Sequence, residues 1–178
     1  MKAALALLAV PALLVQPTVP APSEARGMLL GEVTAPAILA HGTAFRDNLA
    51  KVKVNAGLKA RWAAIRQPLT LVAVFGSWCA DSQYHLPYLL ALEAEPNPFI
   101  EVRYLGVARD KKLEAQAWPK GLEPQAVQRV PTFYLFATQP GGAQKLAGAV
   151  VENPPREGQS MAEALVELAE AAVRGQGR

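Results

Sequence analysis

Continuous apolar runs along the chain predict its strands. Residues 69–75 are almost entirely apolar and rich in β-branched side chains, which is typical of a strand buried on both faces of a sheet. Comparable runs predict strands over residues 99–107, 132–137 and 144–151. Pro140-Gly141-Gly142 separates the last two and predicts a hairpin turn.

One-sided apolar patterns predict the helices. Between Thr43 and Arg66 the apolar residues fit one helical face, with an interruption near residues 55–57. Further helices are predicted over residues 79–94, 110–118 and 160–173. Asp110 is a suitable N-cap for the helix that it begins, because its carboxylate accepts hydrogen bonds from unpaired backbone N–H groups.

Two remaining segments lack a regular pattern. The Gly-, Pro- and Ala-rich residues 26–42 predict an irregular arm, and the loop 119–124 is expected to lead into a short helical turn that reaches Arg129. The resulting order is β-α-β-α-β-β-α, with parallel pairing first and a hairpin last. Right-handed crossovers then predict an α/β fold, a central mixed sheet of four or five strands with helices on both faces.

Composition narrows the function classes. The chain has 178 residues, 51% of them hydrophobic, which is enough for one domain with a substantial core. A net charge of +3 without a basic stripe argues against a nucleic-acid partner. A single cysteine excludes an internal disulfide and a cysteine-based zinc site. With only two histidines and no metal-binding spacing, neither a metal nor a cofactor is expected.

The N-terminus predicts export. A basic start and an apolar stretch over residues 3–15 have the size of a secretory signal, and residues 1–25 are interpreted as a signal peptide cleaved after Ala25. We expect a periplasmic or other extracytoplasmic location and no stable membrane insertion after cleavage; an uncleaved segment would tether the protein to a membrane. Residues 26–68 are then an arm and helix packed on a domain that spans residues 69–178, and we expect a monomer.

The candidate chemistry centres on Cys79. It follows the strand 69–75 and a Gly-Ser turn, and it begins the predicted helix 79–94. Unpaired backbone N–H groups and the positive end of the helix dipole favour a thiolate at such a position. Ser82 lies one helical turn further on, where its hydroxyl is expected either to hydrogen-bond the thiolate or to cap the helix.

Four further residues are considered for a role beside the thiol. Asp81 suits the first turn of a helix but disfavours a nearby thiolate, and Arg129 either offsets that charge or is an ordinary surface arginine. Trp78 either flanks the sulfur as part of a flat apolar contact surface or serves ordinary packing. His85 falls on the opposite face of the helix from Cys79, so it is interpreted as structural rather than as half of a Cys–His pair.

Several motifs together resemble the thioredoxin fold. Trp78-Cys79 resembles the dipeptide that opens the thioredoxin active-site motif, and Pro87 resembles the proline within the family's active-site helix. Val130-Pro131-Thr132 resembles the cis-proline loop. The likeness covers residues 69–173 and extends to bacterial thioredoxin-like proteins with a Trp-Cys-x-Asp-Ser motif. It implies that Trp78, Val130 and Pro131 contact an extended substrate beside the sulfur.

Two departures from the thioredoxin pattern bear on the mechanism. Ser82 stands where thioredoxins have their resolving cysteine, and Ala73 stands where they have a buried carboxylate. The resemblance therefore implies monothiol exchange through Cys79 with protein or small-molecule thiols and disulfides, an external thiol being the resolving group. The alternatives are a non-catalytic module that binds peptides in the Pro131 groove, and a redox sensor based on the same thiol.

Overall fold

One mixed sheet organises the molecule. A computed structural model describes residues 27–176, so the predicted signal peptide lies outside the described residues. The strands are β1 (Gly31–Val33), β2 (Leu69–Phe75), β3 (Ile100–Gly106), β4 (Thr132–Thr138) and β5 (Gln144–Val151). Their order in the sheet is β1-β3-β2-β4-β5. Strands β2 and β3 are parallel, whereas the other three pairs are antiparallel. The predicted α/β fold with a mixed sheet is thereby confirmed, with five strands.

Within the described residues, five α-helices accompany the sheet. They are α1 (Ala35–His41), α2 (Thr43–Leu49), α3 (Ala56–Ala63), α4 (Ala80–Glu93) and α5 (Met161–Gln176). A capping box begins α5: the Ser160 hydroxyl accepts a hydrogen bond from the Glu163 N–H, and the Glu163 carboxylate accepts one from the Ser160 N–H. Within residues 27–176, no helix combines the length and the apolar character that a bilayer crossing requires.

The N-terminal part of the chain is more regular than its sequence predicted. The expected irregular arm contains β1 and α1. The helical region expected from residue 43 to 66 is interrupted by residues 50–55, between α2 and α3, slightly before the interruption expected near residues 55–57. Strand β1 is only three residues long and α1 only seven, so neither is long enough to establish a hydrophobic period. Pairing with β3, which places Gly31 opposite Gly106, defines β1 instead.

The predicted helix over residues 110–118 was wrong. The chain forms only a single 3₁₀ turn there, Ala115–Ala117, and the helical turn expected before Arg129 is also missing from the described structure. The Asp110 carboxylate accepts a hydrogen bond from the Lys112 N–H at 3.2 Å, and Lys111 has a φ of 56°. Asp110 therefore closes a local turn in place of capping a helix, because short acidic side chains compete with helical hydrogen bonding.

The two faces of the sheet carry separate apolar clusters. Alternate residues of β2 divide between them: Leu71 and Phe75 belong to the first cluster, and Val72 and Val74 to the second. The helices contribute their buried apolar side chains to the first face, which we call the helical face. The second face was also expected to carry helices, but the helix predicted over residues 110–118 does not form. In the described residues this face is covered by irregular chain, residues 108–129, which we call the covering segment; its largest contribution is the buried Trp118.

Candidate functional site

A tight turn connects β2 to α4 and sets the position of Cys79. The Cys79 N–H donates to the Gly76 carbonyl at 2.9 Å. The buried Ser77 hydroxyl accepts a hydrogen bond from the Leu29 N–H, and the Gln83 side-chain amide donates to the Ser77 carbonyl, both at 2.9 Å. The turn is thus held by the N-terminal chain on one side and by the first turn of α4 on the other.

Glycine is required at the beginning of this turn. A Cβ atom on Gly76 would lie 2.7 Å from the Trp78 indole ring, closer than carbon atoms approach without displacement. The indole is in turn anchored, because its Nε1 donates to the Val107 carbonyl at 2.9 Å. Gly76 therefore gives the Trp78 ring the space it occupies next to the thiol.

Cys79 is the N-cap residue of α4 and is partly exposed. Its backbone is extended, with φ of −93° and ψ of 126°, and its side chain makes no capping hydrogen bond to the helix. The thiol instead donates to the Val130 carbonyl, with Sγ and the oxygen 3.4 Å apart. The Val130–Pro131 peptide bond is cis. The fold therefore brings together the cysteine and the proline loop, which are far apart in the sequence.

Ser82 is fully buried one turn into α4. Its hydroxyl accepts a hydrogen bond from the Gly76 N–H at 3.2 Å. Neither of the contacts expected from the sequence, to the Cys79 sulfur or to the start of the helix, is among the hydrogen bonds of residues 27–176. Ser82 therefore acts on the sulfur indirectly, by holding the turn that precedes it.

Arg109 belongs to the site, although sequence reasoning did not identify it. Its guanidinium carbon lies 5.0 Å from the centroid of the Trp78 ring, which is a cation–π distance. Arg109 lies in the covering segment, and no spacing in the sequence relates it to Trp78. Its position depends on β3, which runs parallel to β2 and ends beside the end of β2. The covering segment therefore begins at the same edge of the sheet as the turn that carries Trp78.

The two predicted modulators of the thiol have other partners. The Arg129 guanidinium pairs with the Glu152 carboxylate, with Nη1 and Oε2 2.5 Å apart, and both groups lie at the surface. Asp81 is exposed in the first turn of α4, where its negative charge acts on His85 one turn further on. Arg129 therefore pairs with Glu152, which agrees with the interpretation of Arg129 as an ordinary surface arginine.

His85 is buried and contacts the loop after β5. Its Nε2 lies 3.2 Å from the Asn153 side-chain oxygen. Burial lowers the pKa of His85, and the hydrogen bond to Asn153 and the charge of Asp81 only partly oppose that effect. The structural interpretation of this histidine therefore agrees with its contacts.

The proline loop is less open than the resemblance implied. Val130 and Pro131 are both buried, and Val130 exposes only 4% of its surface. The covering segment is held against the same face, because the Tyr134 hydroxyl donates to the Ala126 carbonyl at 2.9 Å and the Trp118 ring packs edge-on against Tyr134. The accessible part of the site is therefore the Cys79 thiol and the half-buried Trp78.

The chemistry available at this site is that of one thiol. No cluster of three histidine, cysteine or carboxylate side chains that would hold a metal ion occurs within residues 27–176. The sulfur contacts a backbone carbonyl, and the preceding residue carries an indole that lies under a cationic side chain. Such a site is suited to nucleophilic attack by sulfur, with the indole and Arg109 as the contact surface.

Comparisons with known proteins agree with the fold. A thioredoxin family model matches residues 34–156, well over half of the chain. A crystal structure of a protein of unknown function from Pseudomonas aeruginosa superposes with a TM-score of 0.57 at 20% identity, covering 82% of this chain and 93% of that one. An HIV epitope-scaffold structure superposes with a TM-score of 0.51 at 21% identity, covering 83% and 94%. No curated protein matches the sequence.

Proposed function

Because this chain belongs to the thioredoxin family, we propose that it carries out monothiol thiol–disulfide exchange through Cys79. The observation that carries the proposal is the position of the thiol: partly exposed, at the N-cap of α4, and 3.4 Å from the Val130 carbonyl. A cysteine kept only for packing has no need of this position, and Ser82 leaves it without an internal thiol partner.

The proposed reaction has two balanced steps. The Cys79 thiolate attacks one sulfur of a disulfide in a protein or small molecule, a mixed disulfide forms, and the other sulfur leaves as a thiolate. An external thiolate then attacks the client sulfur of that mixed disulfide, which restores the Cys79 thiolate and leaves the client bonded to the external thiol. No net oxidant is consumed, because one disulfide is exchanged for another.

The proposal includes the cellular setting. Export through the N-terminal segment would place the protein in an oxidising compartment, where disulfides persist as substrates and small thiols or a partner protein supply the resolving group. Trp78 and Arg109 would form the contact surface for the client beside the sulfur, as supported by the cation–π distance between them.

The peptide-binding alternative uses the same loop without the thiol. It is less well supported because Val130 and Pro131 are buried under the chain's own residues. The two functions differ in their response to Cys79→Ser, which removes the nucleophile but leaves the proline loop in place.

The test is the rate of mixed-disulfide formation on the full chain. We expect the folded protein to react with a model peptide disulfide at least about tenfold faster than the same chain unfolded in urea, because only the folded chain holds the thiol at a helix N-terminus. Intact-mass measurement should show the adduct, its release by added glutathione, and its absence in Cys79→Ser. A folded chain that reacts no faster than the unfolded one would contradict the proposal.

A second variant tests the absence of a resolving thiol. Ser82→Cys places a thiol one helical turn after Cys79, so the mixed disulfide should release its client without added glutathione and leave an internal disulfide. Ser82→Ala is the matched control, and its adduct should persist until glutathione is added. Client binding that survives Cys79→Ser but is lost in Pro131→Ala would favour the peptide-binding alternative.

A further inference from the structure

A second concave site lies where the end of α3 meets the last turns of α5. Its volume is about 430 Å³, which is within the usual range for small-molecule sites. Arg61 and residues 64–67 form one side, and Glu170, Val173 and Arg174 of α5 form the other. None of these residues contributes to the Cys79 site, so an inference drawn from them is independent of the proposed exchange reaction.

The charges of this cavity are unbalanced. The Arg61 guanidinium donates to both oxygens of the Glu170 carboxylate at 2.9 Å, and these hydrogen bonds hold the pKa of Glu170 below its usual range. The same carboxylate also lies 4.0 Å from the Arg174 guanidinium. Arg61, Arg66 and Arg174 line the cavity with this one carboxylate, so positive charge is in excess.

Arg66 and Arg174 differ in how firmly their side chains are held. Arg66 is fixed in place, because its Nη1 donates to the Ala63 and Ile65 carbonyls and its guanidinium lies over the Phe99 ring. Those hydrogen bonds use only Nη1, so its Nε and Nη2 donors have no partner among the hydrogen bonds within residues 27–176. Arg174 is exposed, and its closest charged neighbour is Glu170 at 4.0 Å. Both therefore have N–H donors for an anion.

The rest of the lining is apolar except for one unpaired acceptor. Ala64, Ile65 and Val173 supply the apolar surface. Gln67 has a buried side-chain oxygen with no hydrogen-bond partner in the described part of the chain. A buried acceptor of this kind is unfavourable unless a donor reaches it. A ligand that fits the lining would bring a negative charge, an apolar group and one N–H.

We propose that this cavity binds a small monocarboxylate with an apolar group and an amide N–H, the chemical class of the N-acyl amino acids. The carboxylate would pair with Arg66 and Arg174, since a guanidinium binds a carboxylate through two parallel hydrogen bonds. The apolar group would contact Ile65 and Val173, and the N–H would donate to the Gln67 oxygen.

The test is a titration of the full chain with N-acetyl-leucine, followed by heteronuclear NMR. We expect saturable shifts at residues of α3 and α5, and binding at least about tenfold weaker for N-acetyl-leucinamide, which lacks the carboxylate. N-acetyl-N-methyl-leucine, which lacks the N–H, should also bind more weakly. Binding should be unchanged in Cys79→Ser, which separates this site from the exchange site.

Two arginine variants test where the carboxylate of the ligand binds. Arg66→Gln and Arg174→Gln should each weaken binding by about threefold or more, through loss of a charged donor. Arg156→Gln is the matched control. Arg156 pairs with Glu167 of α5 but does not line the cavity, so the substitution should leave the affinity unchanged. Circular dichroism reports whether each variant is folded.

Three results would overturn this inference. They are the lack of saturable shifts with the wild-type chain, equal affinity for the acid and its amide, and a loss in Arg156→Gln as large as the loss in folded Arg174→Gln. Arg174 is exposed, so its variant is expected to fold even if Arg66→Gln does not.

Discussion

The two faces of the sheet are built in different ways, although the same strands supply both. The helical face is covered by regular helices, and its cluster extends from α1 to α5. The second face has fewer buried residues and is covered by the irregular residues 108–129, in which Trp118 is the main anchor. Regular elements hold one face rigidly, whereas irregular chain on the other face is expected to open at lower free energy.

Cys79 lies at the border between these faces. The helix that it caps packs on the helical face through Leu86 and Leu89, but the cysteine itself packs against the second cluster beside Trp78. The rigid face therefore sets the position of the sulfur, and the irregular face surrounds it. This division places the candidate thiol on a fixed scaffold while leaving its surroundings adjustable.

The largest expected effect comes from the helical face. Phe75 is fully buried there and makes an edge-to-face contact with Phe45, the ring centroids lying 6.0 Å apart. Phe75→Ala should lower the free energy of unfolding by about 4 kcal/mol, because less apolar surface is buried and the closely packed neighbours cannot move in to fill the cavity. Urea unfolding measures the change. Phe99→Ala, at an exposed position, is the control, and a loss at Phe75 no larger than at Phe99 would be inconsistent with a rigid face.

An intermediate effect is expected at the covering segment. Trp118→Ala should lower the free energy of unfolding by about 3 kcal/mol. This loss is smaller than at Phe75, because irregular chain can partly collapse into the space left by the ring. Trp118 packs edge-on against both Tyr134 and Phe136, so its loss should also release the segment locally. Faster amide exchange over residues 108–129 and faster alkylation of Cys79 should accompany the loss.

Trp62→Ala is the matched control for that experiment. Trp62 is about as buried as Trp118 and belongs to the helical face. Within residues 27–176, neither indole nitrogen has a hydrogen-bond partner. Its loss should destabilise the whole fold without a selective change at Cys79. If the two tryptophan variants raise Cys79 alkylation to the same extent, the contrast between the faces does not hold.

The smallest expected effect is a pH dependence from the α4 helix. Because burial lowers the pKa of His85, the folded protein favours the neutral imidazole, and below about pH 6.5 the unfolded chain binds more protons than the folded one. The free energy of unfolding should therefore fall as the pH decreases through that value. His85→Gln should reduce the dependence, as measured by urea unfolding from pH 7.5 to pH 5. An unchanged dependence of the unfolding free energy on pH in His85→Gln would exclude His85 as its source.

Sequence patterns predicted the parts of the fold that have long, regular signals. The run 69–75 predicted both ends of β2, and the one-sided pattern of 160–173 predicted α5, which begins one residue later and ends three residues later. The failures were short or locally ambiguous: β1 is defined by pairing with β3, and residues 110–118 had helical spacing but a local turn at Asp110. Periodicity detects an element only when it lasts for several repeats.

For the site, the sequence by itself determined which candidate group is present and where it lies along the chain. A strand, a Gly-Ser turn and a helix beginning at Cys79 are local features, as is the serine in place of a second thiol. Only the tertiary structure decided which groups surround the sulfur. Arg109 over Trp78, the Val130 carbonyl at the thiol and the pairing of Arg129 with Glu152 join residues distant in sequence. Such contacts depend on strand pairing across the sheet, which no local pattern encodes.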